Sequence, residues 1–124
     1  MEKAKNNNRN YFPSIAVIRT SELNKENKYV FWQTTVFIGV QTIRALKNKG
    51  IVSDVFDVWF DENLIHIEPN GTEYGLLNGN RLTLSRIYVK KYKIRDGKYK
   101  MTMNDDGSID IDLTERITRN AEKR

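Results

Sequence analysis

The 124-residue sequence predicts a mostly β domain with short helices, in which two βαββ units close into one small barrel behind an N-terminal hairpin. Three observations carry this. Apolar stretches rich in β-branched and aromatic residues recur between turn-forming residues. Twice the apolar period changes from strand-like to helical. The order strand, helix, hairpin then appears a second time.

Residues 1–10, with Asn6-Asn7-Asn8 and alternating charge, show no apolar period and read as a disordered lead-in to a single domain over residues 11–113. Ser14 to Thr20 and residues 28–38 are β-rich, and Asn24-Lys25-Glu26-Asn27 between them is a turn, so the two form a hairpin. From Val40 to Asn48, Val40, Ile43 and Leu46 fall at helical spacing, and Gly50 follows as a C-cap. Residues 55–60 alternate Val55, Asp57 and Trp59 with Phe56, Val58 and Phe60. Asp61-Glu62-Asn63 then turns the chain into Leu64-Ile65-His66-Ile67, which Pro69 and Gly71 stop.

This first unit, about residues 29–69, is matched by a second over about residues 76–113. Thr35-Val36-Phe37 corresponds to Arg81-Leu82-Thr83, and a shift of 46 positions sets Ile43, Arg44 and Leu46 against Val89, Lys90 and Tyr92. Ile51 matches Ile94. Phe56, Val58 and Phe60 match Tyr99, Met101 and Met103, and Ile65 and Ile67 match Ile109 and Ile111. The pattern predicts burial of Ile43, Leu46, Val58, Ile67, Leu84, Val89 and Ile109. Residues 114–124 are left as a basic tail. A lone unit of this size cannot cover both faces of its strands, whereas two packed together can remove their exposed edges.

The second unit carries a family resemblance. Its Asn78-Gly79-Asn80-Arg81-Leu82-Thr83-Leu84 start, Tyr92-Lys93-Ile94 helix end and Gly97-Lys98-Tyr99-Lys100-Met101 strand, turning at Asp106-Gly107, resemble the AbrB/MraZ/SpoVT swapped-hairpin DNA-binding family. The first unit departs from that pattern, with Gly39 where the family favours proline and Ser53-Asp54 in place of Gly-Asp. The resemblance implies an interleaved barrel and a role as a DNA-binding regulator. Family members usually assemble two chains, so two units in one chain imply a monomer or a weak homodimer.

Chemistry narrows the functions further. With no cysteine, disulfide scaffolds, thiol catalysis, thiolate zinc sites and iron–sulfur clusters are excluded. The single histidine, His66, alternates with Ile65 and Ile67 on a strand and reads as a surface residue without a catalytic partner. Ser85 precedes a helical stretch and reads as its N-cap. In the acidic stretch 104–110, placing Gly107 at the turn of a calcium loop puts Leu113 where a glutamate is needed, so Asp106-Gly107 is a hairpin turn instead. No catalytic, metal or cofactor site is expected. No apolar run approaches signal-peptide or membrane-span length, and a cytoplasmic location without membrane contact is expected.

Charge supplies the candidate site. The net charge is +5, yet residues 54–73 hold six acids and no base, whereas 81–100 hold eight bases and one acid. Arg81, Arg86, Lys90, Lys91, Lys93 and Arg95, with Arg44 and Lys47 on the first helix, form a candidate nucleic-acid surface, since phosphate binding needs clustered cations. Arg86, Lys90 and Lys93 share helical spacing. Trp32 and Trp59, with Tyr29, Phe31, Phe56 and Phe60, read as core, the alternative being a stacking platform for single strands. Two functions follow. One is a regulator that binds duplex DNA; the other is a binding protein from a virus or mobile element that inhibits a host protein through Asp57, Asp61 and Glu62, an acidic mimic of nucleic acid.

Overall fold

In a computed structural model the placement of residues 1–2, 15–25 and 29–117 is described. Most of the expected lead-in, and the tail beyond residue 117, lie outside the described residues. Eight strands and two short helices follow in the order β1 (Ile15–Lys25), β2 (Tyr29–Phe37), α1 (Val40–Asn48), β3 (Val55–Phe60), β4 (Leu64–Pro69), β5 (Tyr74–Gly75), β6 (Arg81–Leu84), α2 (Arg86–Lys91), β7 (Gly97–Met103) and β8 (Ile109–Ile117). The strands form one antiparallel sheet in the order β5-β3-β4-β8-β7-β1-β2-β6, curled into a nearly closed barrel. The expected mostly β architecture, N-terminal hairpin and two later hairpins are all present. β8 runs four residues beyond the expected domain limit at 113.

Alternation decides which side chains fill the barrel. Ile65 and Ile67 of β4, Ile109 and Ile111 of β8, Met101 of β7, Ile18 of β1, Val36 of β2 and Leu82 of β6 are all buried. Their strand neighbours His66, Asp110, Lys100, Arg19 and Arg81 face outward. Burying an aliphatic side chain contributes about 1.5–3 kcal/mol, so this inner lining is the main source of stability. A threonine joins it. Buried Thr34 shares a hydrogen bond of 2.9 Å with Thr20, whose hydroxyl donates to Asp96 at 2.7 Å.

Of the seven positions expected to be buried, Leu46, Ile67, Leu84 and Ile109 are, whereas Ile43, Val58 and Val89 are only half-buried. Val89 belongs to a helix that buries none of its residues. Ile43 lies to one side of the buried stripe of α1, which consists of Thr42 and Leu46. Val58 lies where β3 has lost its outer neighbour, since β5 pairs only with Val55 and Phe56. Both tryptophans correct the core expectation, with Trp32 53% and Trp59 57% exposed, although Phe56 is buried as expected. Trp59 shares its strand face with Asp57, which points away from the barrel. Trp32 lies on the part of the β1–β2 ribbon that extends past the β2–β6 ladder, which begins at Thr34.

The two helices end alike. In α1 the Ile51 N–H reaches the Leu46 carbonyl and the Gly50 N–H that of Lys47; in α2 Ile94 reaches Val89 and Lys93 reaches Lys90. Both are Schellman closures, which place the residue after the C-cap in the left-handed region. Gly50 holds that position in the first (φ +86°), but Lys93 holds it in the second (φ +54°). Helix α2 therefore stops at Lys91, and Lys93 is not on it, which corrects the expected helical alignment with Arg86 and Lys90. Ser85 occupies the N-cap position without a side-chain capping bond.

The pairings between the hairpins bear on the sequence alignment drawn above. Val36 pairs with Leu82, and His66 pairs with Asp110, while Ile65 and Ile67 pair with Ile111 and Ile109. Val36 and its matched Leu82 are thus direct partners, as are His66 and Asp110 between the matched isoleucines, whereas the flanking matched positions pair crosswise. Exchanging β1–β4 with β5–β8 also returns the same strand order around the barrel.

Two substitutions test this account. Ile67→Ala should lose about 2–5 kcal/mol in urea unfolding, as expected for a cavity in the packed interior of the barrel. Lys93→Gly should gain about 0.5–1 kcal/mol by relieving the left-handed backbone.

Candidate functional site

Helix α2 has two differently furnished sides. On one, Arg86, Val89 and Lys90 line a groove of about 290 Å³ with Trp32, Thr20 and Thr34. The i, i+3 and i+4 spacing places these three helix residues on one face, and the β1–β2 ribbon brings the exposed Trp32 indole against them. The nearby Asp96 carboxylate is engaged, accepting from the backbone N–H and the hydroxyl of Thr20. Among the described residues, neither Arg86 nor Lys90 forms an ion pair with a carboxylate. The arrangement offers two cations beside an aromatic face, a combination that suits a phosphate and a base.

The other expected cations are distributed differently. Lys91, Lys93 and Arg95 are exposed around the end of α2, and the Lys91 ammonium lies 5.4 Å from the Tyr92 ring centroid. Arg44 and Lys47 are exposed on α1, whose Leu46 packs by Gly107 at the β7–β8 turn; α2 instead packs on Phe60 at the end of β3. The structure therefore sets the two basic sets beside different hairpin turns.

Arg81 lies in a third environment. Its guanidinium sits 5.3 Å over Phe37, and that of Arg19 sits 5.9 Å over the same ring. With Ser21, Gln33, Thr35 and Asn78 they line an outward groove of about 290 Å³ across β1, β2 and β6. Sequence reasoning missed Arg19 and Phe37 here. Only the cross-strand register, Phe37 opposite both Val17 and Arg81, brings them together.

The acidic candidates separate as well. The Asp57 carboxylate accepts the backbone N–H groups of Thr72 and Glu73 at 2.9 and 3.2 Å and thereby shapes the loop before β5. Asp61 accepts the Asn63 N–H within the β3–β4 turn, and Glu62 is exposed beside it.

His66 proves to have partners that its sequence neighbours only half disclose. Its Nδ1 lies 2.5 Å from Asp110 Oδ1 and its Nε2 lies 3.1 Å from Glu68 Oε2. Glu68 could have been found, two residues along the same strand face; Asp110 is brought in by the β4–β8 register. Partial burial would lower the His66 pKa, but hydrogen bonds to Asp110 and Glu68, together with their charges, outweigh it and raise it. Both ring nitrogens are engaged by carboxylates, which stabilises the imidazolium form. Among the described residues, no group of three or more His, Asp or Glu side chains is arranged to hold a metal ion, and no helix is long and apolar enough to cross a membrane.

No protein-family model, curated protein or solved structure matches the chain.

The His66 cluster makes a signed prediction. A folded pKa above the unfolded value contributes stability that is fully present below about pH 6.5 and is lost as pH rises through the folded value. Relative to His66→Gln, the wild-type chain should therefore lose unfolding free energy as pH rises above about 6.5, read from urea curves at each pH.

Proposed function

We propose that this chain is a small non-enzymatic nucleic-acid-binding regulator that takes duplex DNA on the surface formed by α2, the residues after it and the adjoining face of the β1–β2 ribbon. The observation that carries the reading is the groove in which Arg86 and Lys90 flank the exposed Trp32. Lys91, Lys93 and Arg95 extend the positive surface past the helix. Phosphates supply most of the attraction in such a complex, and Arg adds the capacity to read guanine edges.

The resemblance to the swapped-hairpin DNA-binding family supports the same reading. Two matched units in one chain account for the partnering of Val36 with Leu82 and of His66 with Asp110, and for the strand order that survives their exchange. On this reading the chain is an internal pseudo-dimer. It works as a monomer or a weak homodimer, because both halves of the barrel are already present.

Replacing Arg86 and Lys90 together by glutamine should weaken binding to duplex DNA and reduce the slope of log affinity against log salt by about two units, close to 0.9 for each lost phosphate contact. The circular dichroism spectrum should be unchanged, because both side chains are exposed. A wild-type chain that fails to bind duplex DNA at low salt overturns the proposal. Binding of single strands alone, with quenching of Trp32, overturns the duplex assignment and leaves base stacking as the mode.

A further inference from the structure

The opposite side of α2 faces a second cavity of about 550 Å³, lined by Val58, Trp59, Phe60, Glu73, Tyr74 and Tyr88. Its origin lies in the sheet. β1 covers the outer edge of β7 with four residue pairs, whereas the two-residue β5 covers β3 only at Val55 and Phe56. Among the described residues, no strand pairs with the outer edge of β3 from Asp57 to Phe60. The cavity lies along this uncovered edge, with Tyr88 of α2 as the far wall.

Its chemistry is distinctive. The Phe60 and Tyr88 rings are parallel within 3° at a centroid distance of 5.2 Å, and Tyr92 continues the row at 6.1 Å from Phe60. Trp59 presents most of its surface to solvent. Tyr74 is partly buried, and that burial raises the pKa of its hydroxyl. Among the described residues, no basic side chain lines the cavity. Glu73 is the charged wall residue among those described, and Asp61 and Glu62 follow directly after Phe60 on the chain. Ring faces attract cations, a carboxylate adds to that attraction, and a planar guanidinium matches both a flat ring and a carboxylate. The far end of the same row already holds a cation, the Lys91 ammonium over Tyr92.

We infer that this cavity receives the arginine side chain of an extended protein segment, with the guanidinium on the aromatic wall and against Glu73, and the segment's backbone along the open edge of β3. An anionic ligand is disfavoured by Glu73, and the open edge offers backbone groups with which a strand-like partner can pair. The site stands apart from the Trp32 groove. Its existence does not depend on nucleic-acid binding.

The test uses the full chain carrying Trp32→Phe, so that fluorescence reports Trp59 alone. The probe is an acetylated and amidated heptapeptide of alternating threonine and valine with one central arginine, compared with its citrulline counterpart, which keeps the shape and loses the charge. The arginine peptide should change Trp59 emission saturably, and the citrulline peptide should bind about tenfold more weakly. Glu73→Gln should weaken the arginine peptide by about three- to tenfold with unchanged circular dichroism. Equal affinity for the two peptides, indifference to Glu73→Gln, or no saturable change overturns the proposal. Equal binding of a lysine counterpart overturns the assignment to a guanidinium.

Discussion

The pairing of β4 with β8 is the constraint on which the rest of the structure depends. It joins the hairpin β3–β4 to the hairpin β7–β8 and sets Ile65 against Ile111 and Ile67 against Ile109, all four with no exposed surface. A slip of one residue would turn His66 or Asp110 into the barrel and these isoleucines into water. The hydrophobic cost of that slip is large compared with the net stability of a domain this size, so the register is strongly specified. With that ladder fixed, β7 receives β1, β2 follows, and β6 closes against β2.

The two grooves beside α2 lie where this regularity ends. Helix α1 buries Thr42 and Leu46 and serves the core. Helix α2 has no fully buried residue, only the half-buried Val89 against the core, spans only six residues, and has no side-chain cap. Such a helix contributes little to packing. It instead divides the surface beside it, presenting Arg86 and Lys90 to the Trp32 groove and Tyr88 to the Trp59 cavity. The truncated β5 has a similar standing, since a longer strand there would cover the β3 edge on which the second cavity depends.

Much of the fold is legible in the sequence because alternation and turn residues report it directly. The bounds of α1 follow from the change of period at Val40, and Gly50 marks its end. The β3–β4 and β7–β8 hairpins follow from their apolar alternation around Asp61-Glu62-Asn63 and Asp106-Gly107. Three features are harder to read. A strand of two residues such as β5 has no period to detect. The end of α2 is hidden because Lys93, unlike Gly50, carries no sequence mark of a left-handed backbone. The tryptophans are misjudged when aromatic character is weighed ahead of position: Asp57 already identifies the Trp59 face as outward, whereas the exposure of Trp32 depends on how far the ribbon outruns its neighbour. In the candidate site, the basic residues are legible as a set. Their partition among the helix, its C-terminal turn and the Phe37 surface depends on cross-strand register and is not.

The meeting of His66 and Asp110 has an evolutionary corollary. A residue on the two-fold axis of a homodimer meets its own copy, so a charged or titrating group placed there must face its like. In this chain the two positions are encoded separately, and natural selection is free to make them different. A histidine set opposite an aspartate, 2.5 Å away, is a pairing that strict symmetry forbids at an axial position. Because His66 and Asp110 are separate positions of one polypeptide, the outward face of the β4–β8 ladder sets a base against an acid, and either position is free to change without the other.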